Sequence, residues 1–214
     1  MYDDPASYEA WYQTRRGAWV AERESALLMA LLRPQPATTL LDVGAGTGHF
    51  TRAFAAAGLS VTALDPAPAM LAYARNRGGA SAHVIGTAQK LPFADGVFDY
   101  AAAVTSLCFV PDPERALIEM WRVSRRGVVL GLLNRHSLLH RQKAGRGGYR
   151  GARWDTIDAV RCWVRLLAGV ADRRVGSAIF LPGGGPLSRR VEWLVPNRVP
   201  WGGFLAIALM RSSG

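Results

Sequence analysis

The sequence is short of cysteine, lysine and long apolar runs, and each shortage closes off a class of protein. Among 214 residues there are two cysteines. Cys108 and Cys162 lie far apart and form no C-x-x-C pair, so neither a disulfide framework nor a zinc knuckle is supported. No apolar run reaches the roughly 18 residues that a membrane helix needs; the longest lie near 127–133 and 201–210. The N-terminus carries Asp3, Asp4 and Glu9 and lacks the apolar core of a secretory signal, so the expectation is a cytoplasmic protein. The four histidines (His49, His83, His136 and His140) show no metal-ligand clustering. His136 and His140 share i,i+4 spacing but want a third ligand, so no metal is expected. No internal repeat and no clear linker interrupt the chain, which suits a single domain over 1–214.

What is present is basic. Of 26 Lys and Arg residues only Lys90 and Lys143 are lysine, and the formal net charge is +10. Residues 1–134 hold 12 basic and 12 acidic side chains, whereas residues 135–214 hold 14 and 4, so the whole excess lies in the second part. Such asymmetry suits nucleic acid, anionic lipid or an acidic substrate. A chain rich in Arg, Ala and Gly also reads as composition bias, and the two readings stay open side by side.

Apolar periodicity predicts a helix over 19–33, ended by Pro34 and Pro36. Short apolar runs at Thr39 to Val43, Ser60 to Leu64, Ala82 to Ile85, Phe98 to Val104 and Val128 to Leu133 read as strands. Helices fall between them. One is capped by Thr47, with Phe50, Phe54 and Ala57 on its face; one opens at Pro68 and stops at Gly78-Gly79; one is capped by Asp112 before Pro113. After Asn134 the pattern loosens into a basic, glycine-rich stretch over 136–153. A helix over Thr156 to Ala168 follows, then strands at Val175 to Leu181 and Phe204 to Met210. Strands alternating with helices argue for an α/β fold, with a mostly parallel sheet covered on both faces. The last strand suits an antiparallel edge.

The segment that carries chemistry is Leu40 to Gly48. A buried strand runs into three glycines at alternate positions, Gly44, Gly46 and Gly48, and then into a helix whose N-terminus offers free N–H groups. Seventeen residues after Gly48 comes Asp65, at a strand end, where a carboxylate can accept from both ribose hydroxyls of an adenosine. A dinucleotide-binding loop would read G-x-G-x-x-G. Here the third glycine comes one position early and His49 stands in its place.

In these residues the chain resembles the class I S-adenosylmethionine-dependent methyltransferases, in the broad group that includes the ubiquinone and menaquinone-biosynthesis methyltransferases. LLDVGAGTGHF (Leu40 to Phe50), VTALDPAPAMLAYA (Val61 to Ala74), GTAQKLPFADGVFD (Gly86 to Asp99) and VTSLCFVPDPERALIEMWRV (Val104 to Val123) carry the resemblance, over about residues 38–134. The resemblance implies a Rossmann-like fold with a seven-stranded sheet whose last strand is antiparallel, and S-adenosyl-L-methionine as cofactor. It also implies three regions: an N-terminal helical lid over 1–33, a cofactor-binding core over 38–134, and an acceptor-side excursion with the last strands over 135–214.

Position by position, the resemblance puts Gly44 and Gly46 against the methionine part of the cofactor, within the loop that includes Ala45 and Gly48. Asp42 falls near the ammonium, Asp65 and Pro66 at the ribose, Met70 and Ala88 at the adenine, and Thr105 near the sulfonium. Many relatives carry Asp where Thr87 stands, so Thr87 or Gln89 takes over the adenine amino group. The acceptor is expected to be a small molecule in an apolar, aromatic pocket of Tyr8, Tyr12, Leu107, Phe109, Tyr149 and Trp154, rimmed by Arg135, Arg141, Arg150 and Arg153. Trp11 also borders it, and Cys108 reads as a small core residue. No general base stands out, so no catalytic residue is assigned and positioning carries the expected mechanism. Two other classes remain. One is an RNA or protein methyltransferase using the basic second part, although no Asn/Asp-Pro-Pro-Tyr motif and no RNA-binding module accompany it. The other is a non-catalytic or NAD(P)-binding protein.

Overall fold

The computed structural model describes residues 4–212. At its centre, strands Thr39–Val43 (β1) and Phe98–Val104 (β4) pair in parallel, with Leu40 opposite Tyr100 and Leu41 opposite Ala101. Alternate side chains of a strand point to opposite faces, and both faces here are covered. Leu41, Ala101 and Ala103 join Leu117 and Met120 in one buried cluster. Leu40, Tyr100 and Ala102 join Leu28 and Phe54 in the other. The run of alanines in β4 leaves room for helices to approach from both sides.

Ser60–Asp65 (β2) and Ala82–Ile85 (β3) extend the sheet beyond β1, and Ser124–Leu133 (β5) extends it beyond β4. The strand order is β3-β2-β1-β4-β5-β7-β6. Phe204–Arg211 (β7) runs antiparallel between β5 and Val170–Ala178 (β6), so one strand of seven is reversed. The reversed strand is the expected one, but it sits second from the edge and β6 closes the sheet. Helices Pro5–Gln13 (α1), Arg15–Leu32 (α2), His49–Ala56 (α3), Pro68–Arg77 (α4), Pro113–Val123 (α5) and Ile157–Val164 (α7) surround the sheet, with short Leu138–Lys143 (α6) in the basic stretch. The Asp112 cap accepts from Arg115 N at 2.9 Å.

Four expectations are corrected. The helix expected from residue 19 begins at Arg15, because the Thr14 hydroxyl caps it through Gly17 N. The helix after the glycines is capped by Gly48 at φ +77, with no side-chain bond, because the Thr47 hydroxyl is engaged by Glu9. The sixth strand begins five residues earlier than predicted and ends three earlier; its first half holds the polar Asp172-Arg173-Arg174 of an exposed edge, and Ile179 at φ +65 ends it. The stretch between the last two expected strands, for which no element was expected, holds Pro186–Leu194 (α8). Its buried residues are Ser188 and Glu192 while Leu187, Trp193 and Leu194 face outward, the inverse of the pattern that marks a helix. Among the described residues no helix is long and apolar enough to cross a membrane.

Candidate functional site

The chain leaves β1 at Val43 and turns sharply. Gly44 N and Ala45 N both donate to Leu64 O, at 2.7 and 3.0 Å, which fixes the loop on β2. Gly44 sits at φ +75, and a Cβ there would come within 2.4 Å of Ser106 Cβ. Gly46 sits at φ +54, and a Cβ there would meet no protein atom within 4 Å. One glycine is required by the protein; the other leaves open space beside a cavity.

Asp65 organises this loop. Its Oδ2 accepts from Gly46 N at 2.9 Å and its Oδ1 from Ala67 N at 2.8 Å. Burial raises its carboxyl above the ordinary value, against the two amide donors that favour the charge. Asp42 lies deeper. It accepts from the Thr51 hydroxyl at 2.6 Å, and burial, opposed by that bond and joined by the nearby Asp65 charge, pushes its carboxyl up to about 6.

A cavity of about 550 Å³ opens beside the loop, within the usual range for ligand sites. Asp42, Gly44, Ala45, Gly46, Asp65, Pro66, Met70, Thr87, Ala88, Gln89 and Thr105 all line it, as do Tyr8, Tyr12 and Phe109. Of the expected cofactor residues Gly48 does not; it serves as the cap of α3.

Sequence reading missed what holds α1 over this cavity. Glu9 is buried, accepts from the Thr47 hydroxyl at 2.6 Å, pairs with the Arg52 guanidinium and lies 3.7 Å from His49 Nδ1. Tyr12 stacks on the His49 ring at 3.7 Å between centroids and 9° between planes. The tie joins α1 to both ends of the loop-to-helix junction. Its one sequence trace is an acid set among Tyr8, Trp11 and Tyr12.

A second cavity of about 130 Å³ adjoins the first, and Tyr8, Tyr12, Thr105, Phe109 and Gly148 line both. Tyr149 and Trp11 line it as expected. Trp154 does not; it packs against His140 and Tyr149 at 5.0 and 5.4 Å. Leu107 is wholly buried in the core. Arg153 is scaffold and not rim: it bonds Asp155, Leu107 O and Val110 O and lies 5.4 Å over Trp163. Arg135, Arg141 and Arg150 border neither cavity. Cys108 is buried, donates to Thr105 O at 3.1 Å and is pushed by burial up to about 12, which fits a core residue and not a nucleophile. Glu24, which no motif singled out, also lines this cavity. Among the described residues no three or more His, Cys, Asp or Glu side chains converge as metal ligands.

Residues 41–132 match the family model described as a methyltransferase domain. The malonyl-[acyl-carrier protein] O-methyltransferase of Serratia marcescens is 34% identical over 155 residues, 72% of this chain and 56% of the relative. A solved structure from Thermotoga maritima, described as a SAM-dependent methyltransferase and possible histamine N-methyltransferase, superposes with a TM-score of 0.76. It is 28% identical, and the match covers 97% of this chain and 96% of that one. The chain carries a class I S-adenosylmethionine-dependent methyltransferase domain. It spans about half the length of the curated relatives it matches. The Synechocystis magnesium protoporphyrin IX methyltransferase with bound SAM shares the fold at TM-score 0.60 and 14% identity, over 92% of this chain and 80% of that one.

The methyltransferase cavity fits that cofactor on its own geometry. The open position at Gly46 leaves room for a ligand against the backbone, and two buried carboxylates, Asp42 and Asp65, face a cavity otherwise walled by Met70, Ala88 and their neighbours.

Proposed function

We propose that this chain methylates a small-molecule acceptor and that positioning supplies most of the acceleration. The observation that carries the reading is the junction of two cavities at Thr105, Tyr8, Tyr12 and Phe109. A cofactor-sized space opens there into a small, ring-lined one. When bound, S-adenosylmethionine supplies a methyl group activated on a sulfonium. The residues of the chain do the rest. Asp65 receives the ribose hydroxyls, Asp42 faces the ammonium, and Gly44, Ala45 and Gly46 present backbone to the amino-acid part. Met70 and Ala88 hold the adenine, with Thr87 or Gln89 at its amino group. Thr105 stands where the cavities meet, and Tyr8, Tyr12 and Phe109 exclude water from that point. α1 with the start of α2 serves as the lid; the first three residues of the region assigned to it lie outside the described ones. We keep the cytoplasm as the site of action, supported by two unpaired cysteines.

A second reading has its own support. The Serratia relative is named for an acyl-carrier substrate. α8 exposes Leu187, Trp193 and Leu194, Trp201 after it is exposed too, and Arg189, Arg190 and Arg198 stand in the same segment, which suits an acidic protein partner. Calorimetry with S-adenosylhomocysteine, NADH and a short RNA tests the class. Micromolar binding of the first alone is expected, and preference for either of the others would overturn it. Turnover of a malonyl-carrier substrate but of no free acceptor would move the conclusion to the second reading.

A further inference from the structure

The smaller cavity is lined by ionisable groups that the fold does not use. Its walls include the rings of Tyr8, Trp11, Tyr12 and Tyr149, and its two ionisable side chains of opposite charge are Arg16 and Glu24. Arg16 and Glu24 lie eight residues apart on α2, two helical steps of four, and so share the face that looks into the cavity. The Glu24 carboxylate makes no hydrogen bond and no ion pair among the described residues. The Arg16 stem packs against the turn at Gly184, where an added Cβ would lie 3.0 Å from Arg16 Cγ. Glu24 is half-buried, and even partial burial of a carboxylate without donors is unfavourable, so its place in a ring-lined hollow asks for a ligand.

We propose that this cavity is the acceptor subsite and that Glu24 receives the ammonium group of a small aromatic amine, which passes one proton to the Glu24 carboxylate and so exposes the nitrogen lone pair that takes the methyl group. The proposal rests on the methyl-transfer reading and names its substrate class. Electron-rich ring faces attract an organic cation, and one carboxylate gives it a partner in a site that excludes water. The cavity volume of about 130 Å³ suits a compact amine and not a nucleotide or a peptide.

Burial pushes the Glu24 carboxyl up to about 8. The titratable and charged groups that line the cavity with it are Tyr8 and Tyr12, both raised by burial, Cys108, raised likewise, Tyr149 and Arg16. Near pH 7 Glu24 is therefore mostly protonated in the free protein, while a primary amine with a pKa of about 10 is mostly cationic. Pairing the two expels about one proton to solvent. Near pH 9 the carboxylate is already ionised and little is released. The raised value also fixes a stability sign. The unfavourable burial of charge is absent below pH about 4.5, grows up to about 8 and is constant above.

The test is calorimetry on the full chain. Titration with S-adenosylhomocysteine alone tests methyl transfer as a class. Protein loaded with it is then titrated with 2-phenylethylamine, 2-phenylethanol and 3-phenylpropanoate, in buffers of different ionisation enthalpy. The amine is expected to bind about tenfold or more tightly than either isostere, releasing about one proton at pH 7 and little at pH 9. Glu24→Gln should weaken the amine about tenfold, abolish the release and leave S-adenosylhomocysteine affinity unchanged. It should also melt higher than the parent at pH 9 but not at pH 4, showing that the variant folds. Equal affinity for amine and alcohol, or an amine indifferent to Glu24→Gln, overturns the proposal. So does tight binding of the carboxylate that is lost in Arg16→Gln, which would make the acceptor an anion. Amine binding without S-adenosylhomocysteine binding would instead sink methyl transfer and leave the amine site standing.

Discussion

Replacing Asp65 separates its work for the loop from its work for a ligand. In the structure the carboxylate accepts from Gly46 N through Oδ2 and from Ala67 N through Oδ1, at 2.9 and 2.8 Å. Asparagine keeps one acceptor oxygen and turns an NH₂ toward the other donor. One loop bond is lost, and the charge available to two ribose hydroxyls with it. A hydrogen bond to a charged group is worth about 1.5–3 kcal/mol. At about 1.4 kcal/mol per tenfold, losing one such bond weakens S-adenosylhomocysteine roughly 10- to 150-fold. Asp65→Ala leaves both amides without their acceptor and adds a penalty of about 1–3 kcal/mol for each N–H that stays buried. Its melting temperature should therefore fall, by roughly 2–4 °C per kcal/mol for a chain of this size. Calorimetry gives the affinity and a thermal melt gives the stability. Asp65→Asn with parental affinity for S-adenosylhomocysteine would refute the ribose assignment. Parental affinity in Asp65→Asn beside a lowered melting temperature in Asp65→Ala would reduce Asp65 to a loop fastener.

The two glycines beside it should fail differently. Gly44→Ala forces a left-handed alanine, about 1–2 kcal/mol, and drives Cβ into Ser106, about 1–3 kcal/mol more; a melting temperature within 2 °C of the parent would contradict this. Gly46→Ala costs the strain alone, about 1–2 kcal/mol or roughly 2–8 °C of melting temperature, but fills open space at the cavity wall, so S-adenosylhomocysteine should weaken about tenfold or more; unchanged affinity would show that no ligand approaches there. Glu9→Ala unties α1 and leaves Arg52 unpaired, about 3 kcal/mol at the low end for a buried pair because Arg52 keeps access to water. Amide exchange over residues 5–13 should speed up and S-adenosylhomocysteine should bind more weakly, and exchange as slow as in the parent would remove the tie from the account.

The cofactor side was legible because its chemistry is written into local backbone. Gly44 and Gly46 both adopt positive φ, and three glycines at alternate positions after an apolar strand announce such a turn wherever they occur. β4 runs from Phe98 to Val104 as its apolar run predicted, and Asp112 caps α5 as its place before Pro113 predicted. The misses are all settled by tertiary partners. Thr47 has the chemistry of a cap, yet its hydroxyl goes to Glu9, 38 positions earlier. Arg153 looked like a free cation and is spent on Asp155 and two carbonyl oxygens. α8 buries Ser188 and Glu192, the latter accepting from Ile179 N and Phe180 N, so its apolar face turns outward and hides the helix from a periodicity reading.

The acids that burial acts on divide by whether a cation is placed beside them. Burial works to raise Asp99, yet Arg125 and the Thr39 donors hold it down at about 2. Glu119 is lowered first by Arg122, then by Leu91 N against burial. Asp155 has Arg153. These acids have arginines placed for them and fasten one element to another. The carboxylates raised by burial are Glu24, Asp42 and Asp65, and each of the three lines a cavity. A fold selected for stability alone would pair or replace such groups, since every one opposes folding where it is ionised. Their shared place at cavity walls is what a binding site predicts and a packing accident does not. Asp42 and Asp65 mark the half of the site that glycine spacing had already located. Glu24, by the same criterion, marks the half on which no motif bears. That is why the acceptor is best sought among molecules bringing a positive charge to α2.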